Sequence, residues 1–343
     1  MTLRKPRKKP SAEATLLAAQ APDMPDRATF LGGSDFAAVI GVSPFHTPVE
    51  LWKLKTGRTD PKPVSAARAR MFKRGKKLEP YVLDMLLDKL REQGLTVQLV
   101  ARNQRYVDPE HPFLSVEIDF ELRITGTVSI NGQELHLQDV LVNGDAKTVH
   151  GFARRKWGDE ETEDIPTEYA AQFMGGLMVT PGERPLCIVA ALIGLDDVGI
   201  YWLKRDEEVI AAMRPKLVDF WVNHVIEDQA PDPLRYSDIK ELYPLDNGGT
   251  VEATETVAEK IEQLRRLRIE VRMREAEAEA LALDIGEYAQ NCSQVTRGGR
   301  LVATFKRETK TSLDTDALRR QHPTLVPLFE RTSETRVLRL KKA

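Results

Sequence analysis

Two aspartates and a lysine pose the first chemical question in this sequence. Asp119 lies in SVEIDFEL, and Asp145 and Lys147 stand two apart in GDAKTV. On a β-strand, residues i and i+2 point to the same face, so Asp145 and Lys147 share a side if GDAKTV is extended. The 25 residues between Asp119 and Asp145 are enough for a hairpin that makes the two strands neighbours. Carboxylates from two such strands suit a hard divalent cation, because Mg²⁺ takes one or two carboxylates and fills its shell with water and phosphate oxygens. A cation so held neutralises a phosphate and lowers the pKa of a bound water, and a nearby amine faces the developing charge. Glu79 in RGKKLEP precedes this pair on a predicted helix, and Gln172 follows on another. Alone, an Asp followed by D-x-K recurs by chance. The plainer reading pairs Asp119 with Arg123 at a strand end and leaves Glu79 solvated.

Other chemistries find less support. Cys187 and Cys292 are far apart and in no ligand spacing, which gives no zinc ribbon, iron–sulfur cluster or disulfide framework and reads as a reduced, intracellular chain. The six histidines, His46, His111, His136, His150, His224 and His322, are scattered. Of the four tryptophans, Trp52, Trp202 and Trp221 read as core, whereas Trp157 follows Arg154, Arg155 and Lys156 in a stretch that suits the backbone of DNA. No run approaches ~18 apolar residues, and the basic N-terminus lacks an apolar signal core, so a soluble protein without a membrane partner is expected.

The elements that must hold these residues are legible in the periodicity. FLGGSDFAAVIGVSP predicts a short helix through Ile40, capped by Ser34 or Asp35, with the Gly32 and Gly33 N–H groups offered to an anion. TPVELWKLKTG predicts a helix with Thr47 as N-cap, Pro48 in its first turn and Gly57 as its stop. MFKRGKKLEPYVLDMLLDKLREQG predicts a longer one that carries Glu79 and ends at Gly94. TVQLVARNQRYV, FLSVEIDFELRI, GTVSING, QELHLQDVLVNGDAKTV, PLCIVAALIG and DVGIYWLKRD predict strands. PTEYAAQFMGGLMVT between them predicts a buried helix, weakened by Gly175 and Gly176. EEVIAAMRPKLVDFWVNHVIED predicts a helix with Val209, Met213, Leu217, Phe220 and Val225 on one side. The order implies an α/β (mixed α+β) fold with a central mixed sheet flanked by helices.

With 343 residues, about two domains are expected. Residues 1–28 read as a basic tail, either solvated or a phosphate-binding arm; 29–235 as the core; 236–250 as a linker; and 251–343 as a C-terminal helical arm and tail. In that arm Val257, Leu264, Val271, Ala278 and Ile285 repeat every seven residues, but Arg268 and Glu275 interrupt the companion positions. The helix therefore either packs on its own protein or forms a coiled coil. The remainder reads as strand, short helix, strand.

A net charge of −2 gives no sign of a polyanionic partner, but the distribution does. Between Lys53 and Lys77 there are ten Lys or Arg and one acid, Asp60, a density that attracts phosphate. Lys73, Arg74 and Lys76 belong to that run and Arg154 and Arg155 to a second. Gly158 to Glu168 holds six acids, and this loop is expected to face away from phosphate.

These blocks, in order, resemble the lambda-exonuclease-like, YqaJ-type viral recombinase family, a branch of the restriction-endonuclease-like PD-(D/E)xK nucleases. The resemblance runs from Arg27 to Pro233 through GGSDFAAVIGVSPFHTPVELWKLKTG, RGKKLEPYV, PFLSVEIDFEL, GDAKTV, IPTEYAAQFMGGLMVT and IYWLKRDEEVI. It implies a restriction-endonuclease-like core and a Mg²⁺-dependent DNA exonuclease, with Mn²⁺ as a substitute. By the same resemblance Asp119, Asp145 and the carbonyl of Ala146 would hold the metal. Lys147 would position or activate water, Glu79 would support the water shell, and Gln172 would orient Lys147 or the nucleophile. Ser34 and Arg27 would contact a 5′ phosphate. Three positions depart from the family pattern: Asp145 stands where Glu is usual, Phe120 follows the first Asp in place of Gly, and Gly176 stands where a Tyr is common.

The implied activity is 5′→3′ digestion of linear double-stranded DNA in a bacterial cytoplasm, in phage or prophage recombination. The 3′ strands would pass to a single-strand annealing protein, and the chain would form a homo-oligomer, a trimer. An endonuclease or structure-specific nuclease on the same core, and a catalytically inactive DNA-binding scaffold, are the alternatives. Residues 251–343 would clamp DNA, recruit the partner or build the oligomer.

Overall fold

The structure, a computed structural model, describes residues 26–59, 65–182, 184–194, 197–330, 332 and 334–341. The basic tail lies almost wholly outside the described residues. Two compact units divide the chain, residues 1–242 and 243–343.

In the first unit a turn over Arg27–Thr29 leads into β1 (Leu31–Gly32) and α1 (Gly33–Val39). Helix α1 is capped by Asp35 from inside the first turn, its Oδ2 accepting from Gly32 N at 3.0 Å. The Gly32 N–H expected to be free for an anion is therefore already bonded to a carboxylate. Helix α2 (Pro48–Lys55) has the expected Thr47 cap, closed reciprocally by Glu50. Helix α3 (Ala66–Glu92) begins five residues before the expected Met71, because Ser65 caps Arg68 N and no breaker intervenes.

A six-stranded mixed sheet follows: β2 (Thr96–Val107), β3 (Leu114–Ile130), β4 (Gln133–Val149), β5 (Leu186–Ile193) and β6 (Val198–Lys204), with β1 as the sixth strand. FLSVEIDFELRI and GTVSING form one 17-residue strand, not two, because Gly126 makes a bulge instead of a turn. The bulge admits only glycine: at φ +138° a Cβ would stand 2.6 Å from Leu95 Cδ2.

Helix α3 covers one sheet face, where Val82, Leu83, Leu86 and Leu90 pack on Phe120, Leu122, Ile188 and Trp202. Helices α1, α4 (Thr167–Val179) and α5 (Glu207–Asp219) cover the other. The glycines that weakened α4 as a sequence reading are what let it pack. A Cβ on Gly175 would fall 2.2 Å from Phe36 Cδ2, so α1 and α4 meet there at backbone distance. On α5 Met213 and Leu217 are buried as expected, with Ile210 on that face in place of the exposed Val209. A π-helical turn, Phe220–Ile226, extends α5 and buries Phe220 and Trp221.

The segment read as a linker begins as a helix, α6 (Tyr236–Leu242), docked on the first unit. Asp238, fully buried, accepts from Thr47 Oγ1, Leu234 N and Arg235 N, which anchors the segment.

The second unit contains α7 (Glu255–Ala289), the hairpin β7–β8 (Gln294–Arg297 and Arg300–Thr304), α8 (Thr315–Gln321) and α9 (Val326–Phe329). Among the described residues 334–341 there is no closing strand; the hairpin offers RVLRL no third partner. No helix among the described residues is long and apolar enough to cross a membrane.

Candidate active site

The sheet topology opens the cleft. One edge of β3 is paired with β2 throughout, from Ser115 to Thr125. Its other edge pairs with β1 at Leu114 and Ser115, then with β4 only from Phe120 onward. Residues 116–119 are unpaired on that side. Past Gly144, β4 leaves β3 and joins β5 in parallel through Asn143 to Val149. The split between β1 and β4 is a cleft of about 270 Å³, and Asp119 and Asp145 both lie where the strands part.

Each expected central residue lines it: Glu79, Asp119, Asp145, Ala146, Lys147 and Gln172, together with Arg27 and Ser34. Asp119 Oδ2 accepts from Ala146 N at 3.0 Å, which spans the gap where ladder bonds have stopped. Asp119 has no ion pair with Arg123, which is bonded instead to Asp139 at 3.0 Å. Asp145 is buried, and its Oδ1 is ion-paired with Lys147. Gln172 Nε2 stands 3.5 Å from Asp145 Oδ2, at the outer limit of a hydrogen bond. On α4, Tyr169 and Phe173 place their rings 5.4 and 5.2 Å from Lys147 Nζ and wall the amine with π faces.

The electrostatics follow from crowding acids in a dry place. Burial, then repulsion from Asp119, pushes Asp145 up to about 7. Burial opposes the charge on Lys147, but Asp145 and Asp119 outweigh it and hold the amine above its ordinary range. Burial and Asp119 also raise Glu79, against the pull of Lys76, Lys147 and Arg102. Among the described residues no group of three or more His, Cys, Asp and Glu could hold a metal. The donor set is therefore two carboxylates, in a cleft lined by Glu79, Glu117, Asp119 and Asp145 against Lys147 and Arg27. That fits a hydrated hard cation, which needs few protein ligands, better than a zinc-like ion that needs four.

At one end of the cleft Arg27 Nη2 donates to Ser34 Oγ at 2.9 Å. Lys55, with its side chain 4% exposed, holds this corner by donating to the carbonyls of Arg27 and Phe30, each at 2.6 Å, and to Asp35 at 2.8 Å. The sequence reading missed this lysine because it looked like one more member of a solvated basic run. It also missed Arg102 and Asn103. They wall a second cavity of about 220 Å³ that shares Glu79, Asp119 and Ala146 with the cleft. Asn103 has φ +50° on β2, between the pairs Arg102–Phe120 and Gln104–Ile118, a position beside Asp119 that only the register reveals.

Lys73, Arg74 and Lys76 are exposed on α3 and do not line the cleft, nor do Arg154 and Arg155. Arg154 is exposed, with Nη1 donating to the carbonyls of Trp157 and Gly158 at 2.7 and 2.8 Å. Trp157, expected on a DNA-facing stretch, is buried against Tyr169 and Tyr201 because the chain turns back there into the core. The exposed aromatic of that stretch is Phe152, 88% exposed. The acidic loop is tied down away from the cleft, with Glu160 on Lys89 and Glu163 on Asn131.

Residues 24–183 match the YqaJ-like viral recombinase domain. The uncharacterized protein YqaJ of Bacillus subtilis (strain 168) is 24% identical over 323 residues, 92% of each chain. Among solved structures, the alkaline exonuclease LHK-Exo from Laribacter hongkongensis is similar at 15% identity and a TM-score of 0.37, over 59% of this chain and 90% of that one. Its complex with dAMP gives 16%, 0.36 and the same coverage. The segment that supplies Arg27, Glu79, the two strand aspartates, Lys147 and Gln172 is thus the one similar to the YqaJ-like viral recombinase domain.

Proposed function

We propose that this chain is a Mg²⁺-dependent deoxyribonuclease of the PD-(D/E)xK type that digests linear double-stranded DNA from 5′ to 3′. The observation that carries the reading is the convergence of Asp119, Asp145 and Lys147 at the split between β3 and β4, beside the Arg27–Ser34 corner. When bound by Asp119, Asp145 and the Ala146 carbonyl, Mg²⁺ (or Mn²⁺ in its place) would supply charge neutralisation at the phosphate and a water of lowered pKa. Lys147 keeps its proton, held by the two aspartates, and places positive charge where the phosphate gains negative charge. Gln172 fixes the orientation of Asp145. Glu79, with its raised proton affinity, takes hydrogen bonds from water at the rim. Arg27 and Ser34 bind a terminal 5′ phosphate by charge-assisted hydrogen bonds. Lys73, Arg74, Lys76 and Arg155 attract the duplex without reading its sequence.

The reading extends to a place in phage-type recombination, in the bacterial cytoplasm, where a single-strand annealing protein takes up the 3′ strands. It also includes self-association, for which the family resemblance implied a trimer.

The test is digestion of end-labelled linear duplex with Mg²⁺, comparing 5′-phosphorylated with 5′-hydroxyl ends and with covalently closed circles. Loss of label from linear DNA, faster on phosphorylated ends, with circles spared and Lys147→Ala inactive, is the expected result. Cleavage of circles would replace the exonuclease with an endonuclease. Linear DNA left intact by both proteins would overturn the nuclease reading.

A further inference from the structure

Helix α7 runs 35 residues, about 52 Å at 1.5 Å per residue. Every residue from Arg266 to Ile285 is exposed. Its apolar residues are nonetheless patterned. Val257, Leu264, Val271, Ala278 and Ile285 occupy one heptad position, and Leu267, Leu281 and Tyr288 the position three further on, with Lys260 and Arg274 completing that row. Val271 is 55% exposed and Leu281 63%, so the seam between the rows stands in water. A shorter stripe, Ile269, Met273 and Leu283, lies on the opposite side.

Charge along the helix is polarised. Lys260 to Arg274 holds six basic and two acidic residues; Glu275 to Ala289 holds five acidic and no basic ones. Two copies laid side by side in parallel would set like half on like half. Laid antiparallel, each basic half meets an acidic half, and the centre of the helix becomes a two-fold axis.

We infer that α7 pairs antiparallel with α7 of a second copy of this chain along the heptad seam. In an antiparallel pair the first heptad row of one helix meets the fourth row of the other, which fixes the register. Leu264 of one copy lies opposite Leu281 of the other, Leu267 opposite Ala278, and Val257 opposite Tyr288. Val271 meets Arg274 beside the axis. The same register brings Arg268 of one copy alongside Glu275 of the other, twice by symmetry. Glu270 comes to face Glu277, the one like-charge approach, and Glu277 is already bonded to Arg274 of its own helix at 2.9 Å. The pairing stands on the second unit alone and does not require the nuclease reading.

The experiment uses the full-length chain with the exposed Cys292 changed to Ser. Under mild oxidation Leu264→Cys/Leu281→Cys is expected to give a covalent pair of chains in high yield, whereas Leu264→Cys alone is not. Cross-linking by Leu264→Cys alone would mean a parallel pair and overturn the proposal, as would a double variant that gives no covalent pair. Charge reversal gives a second readout, by sedimentation. Arg268→Glu/Arg272→Glu and Glu275→Lys/Glu277→Lys/Glu279→Lys should each weaken self-association at least tenfold, and mixing the two should restore it. These residues are exposed, so circular dichroism should show both variants folded. A wild-type chain that sediments as a monomer at tens of micromolar, or an assembly indifferent to both reversals, would overturn it equally.

Discussion

Asp119 Oδ2 accepts the backbone N–H of Ala146 at 3.0 Å, just beyond the last ladder pair of β3 and β4, Phe120 opposite Gly144. The side chain replaces the ladder where the strands part, so one carboxylate oxygen is held and the other is left for a ligand. Asn retains an acceptor for Ala146 N but loses the charge. Asp119→Asn is therefore expected to fold with nearly unchanged thermal stability while losing about 10²-fold or more of metal-dependent cleavage. A large drop in melting temperature would show that the charge, not the acceptor, holds the strands.

Asp145 should make ion binding pH-dependent. Its carboxyl is raised to about 7 from 3.8, so between these values the folded chain holds a proton that the unfolded chain has released. Stability supplied by that proton is present at the acid end and is lost as pH rises through about 7. A divalent ion needs the ionised form, so its stabilisation grows over the same window. Calorimetry of Mg²⁺ or Mn²⁺ binding at pH 6 in buffers of different ionisation enthalpy should report proton release that vanishes at pH 8.5. Release that is equal at both pH values would remove Asp145 as the titrating ligand.

Gly144 is required by Phe120. A Cβ there would lie 1.9 Å from Phe120 Cε2, so the ring crosses β4 where only hydrogen fits. Gly144→Ala is expected to destabilise the first unit by about 1–3 kcal/mol, seen as a lower urea midpoint. Adding Phe120→Gly should recover part of the loss in a double-mutant cycle. The Phe that departs from the family pattern and the Gly opposite it are thus a matched pair.

The Arg27–Ser34 corner should discriminate ends. Arg27→Ala is expected to reduce the preference for 5′-phosphorylated over 5′-hydroxyl duplex by about tenfold, the loss of one charge-assisted contact. Lys55→Met should do the same from a distance, because it leaves two carbonyls and Asp35 without their buried donor. It should also cost about 3 kcal/mol in chemical denaturation. Unchanged end preference in both variants would move the phosphate site elsewhere.

The periodicity and the spacing of GDAKTV made the strands, the Thr47 cap and the shared face of Asp145 and Lys147 legible, because these depend on neighbours in the chain. Gly175 and Gly176 weakened the reading of α4 for the opposite reason: the propensity of an isolated helix counts them as a cost, and only the approach of Phe36 to Gly175 and of Ile118 to Gly176 shows their use. Trp157 was misplaced because local sequence says which residues are aromatic but not which way the chain turns next. Lys55 could not be told from its solvated neighbours before three distant acceptors closed around it. What the residue order determined by itself was the inventory and its local periods. What only the tertiary structure decided was the parting of β4 from β3, since pairing partners far apart in sequence set where the sheet opens, and so which carboxylates are buried together.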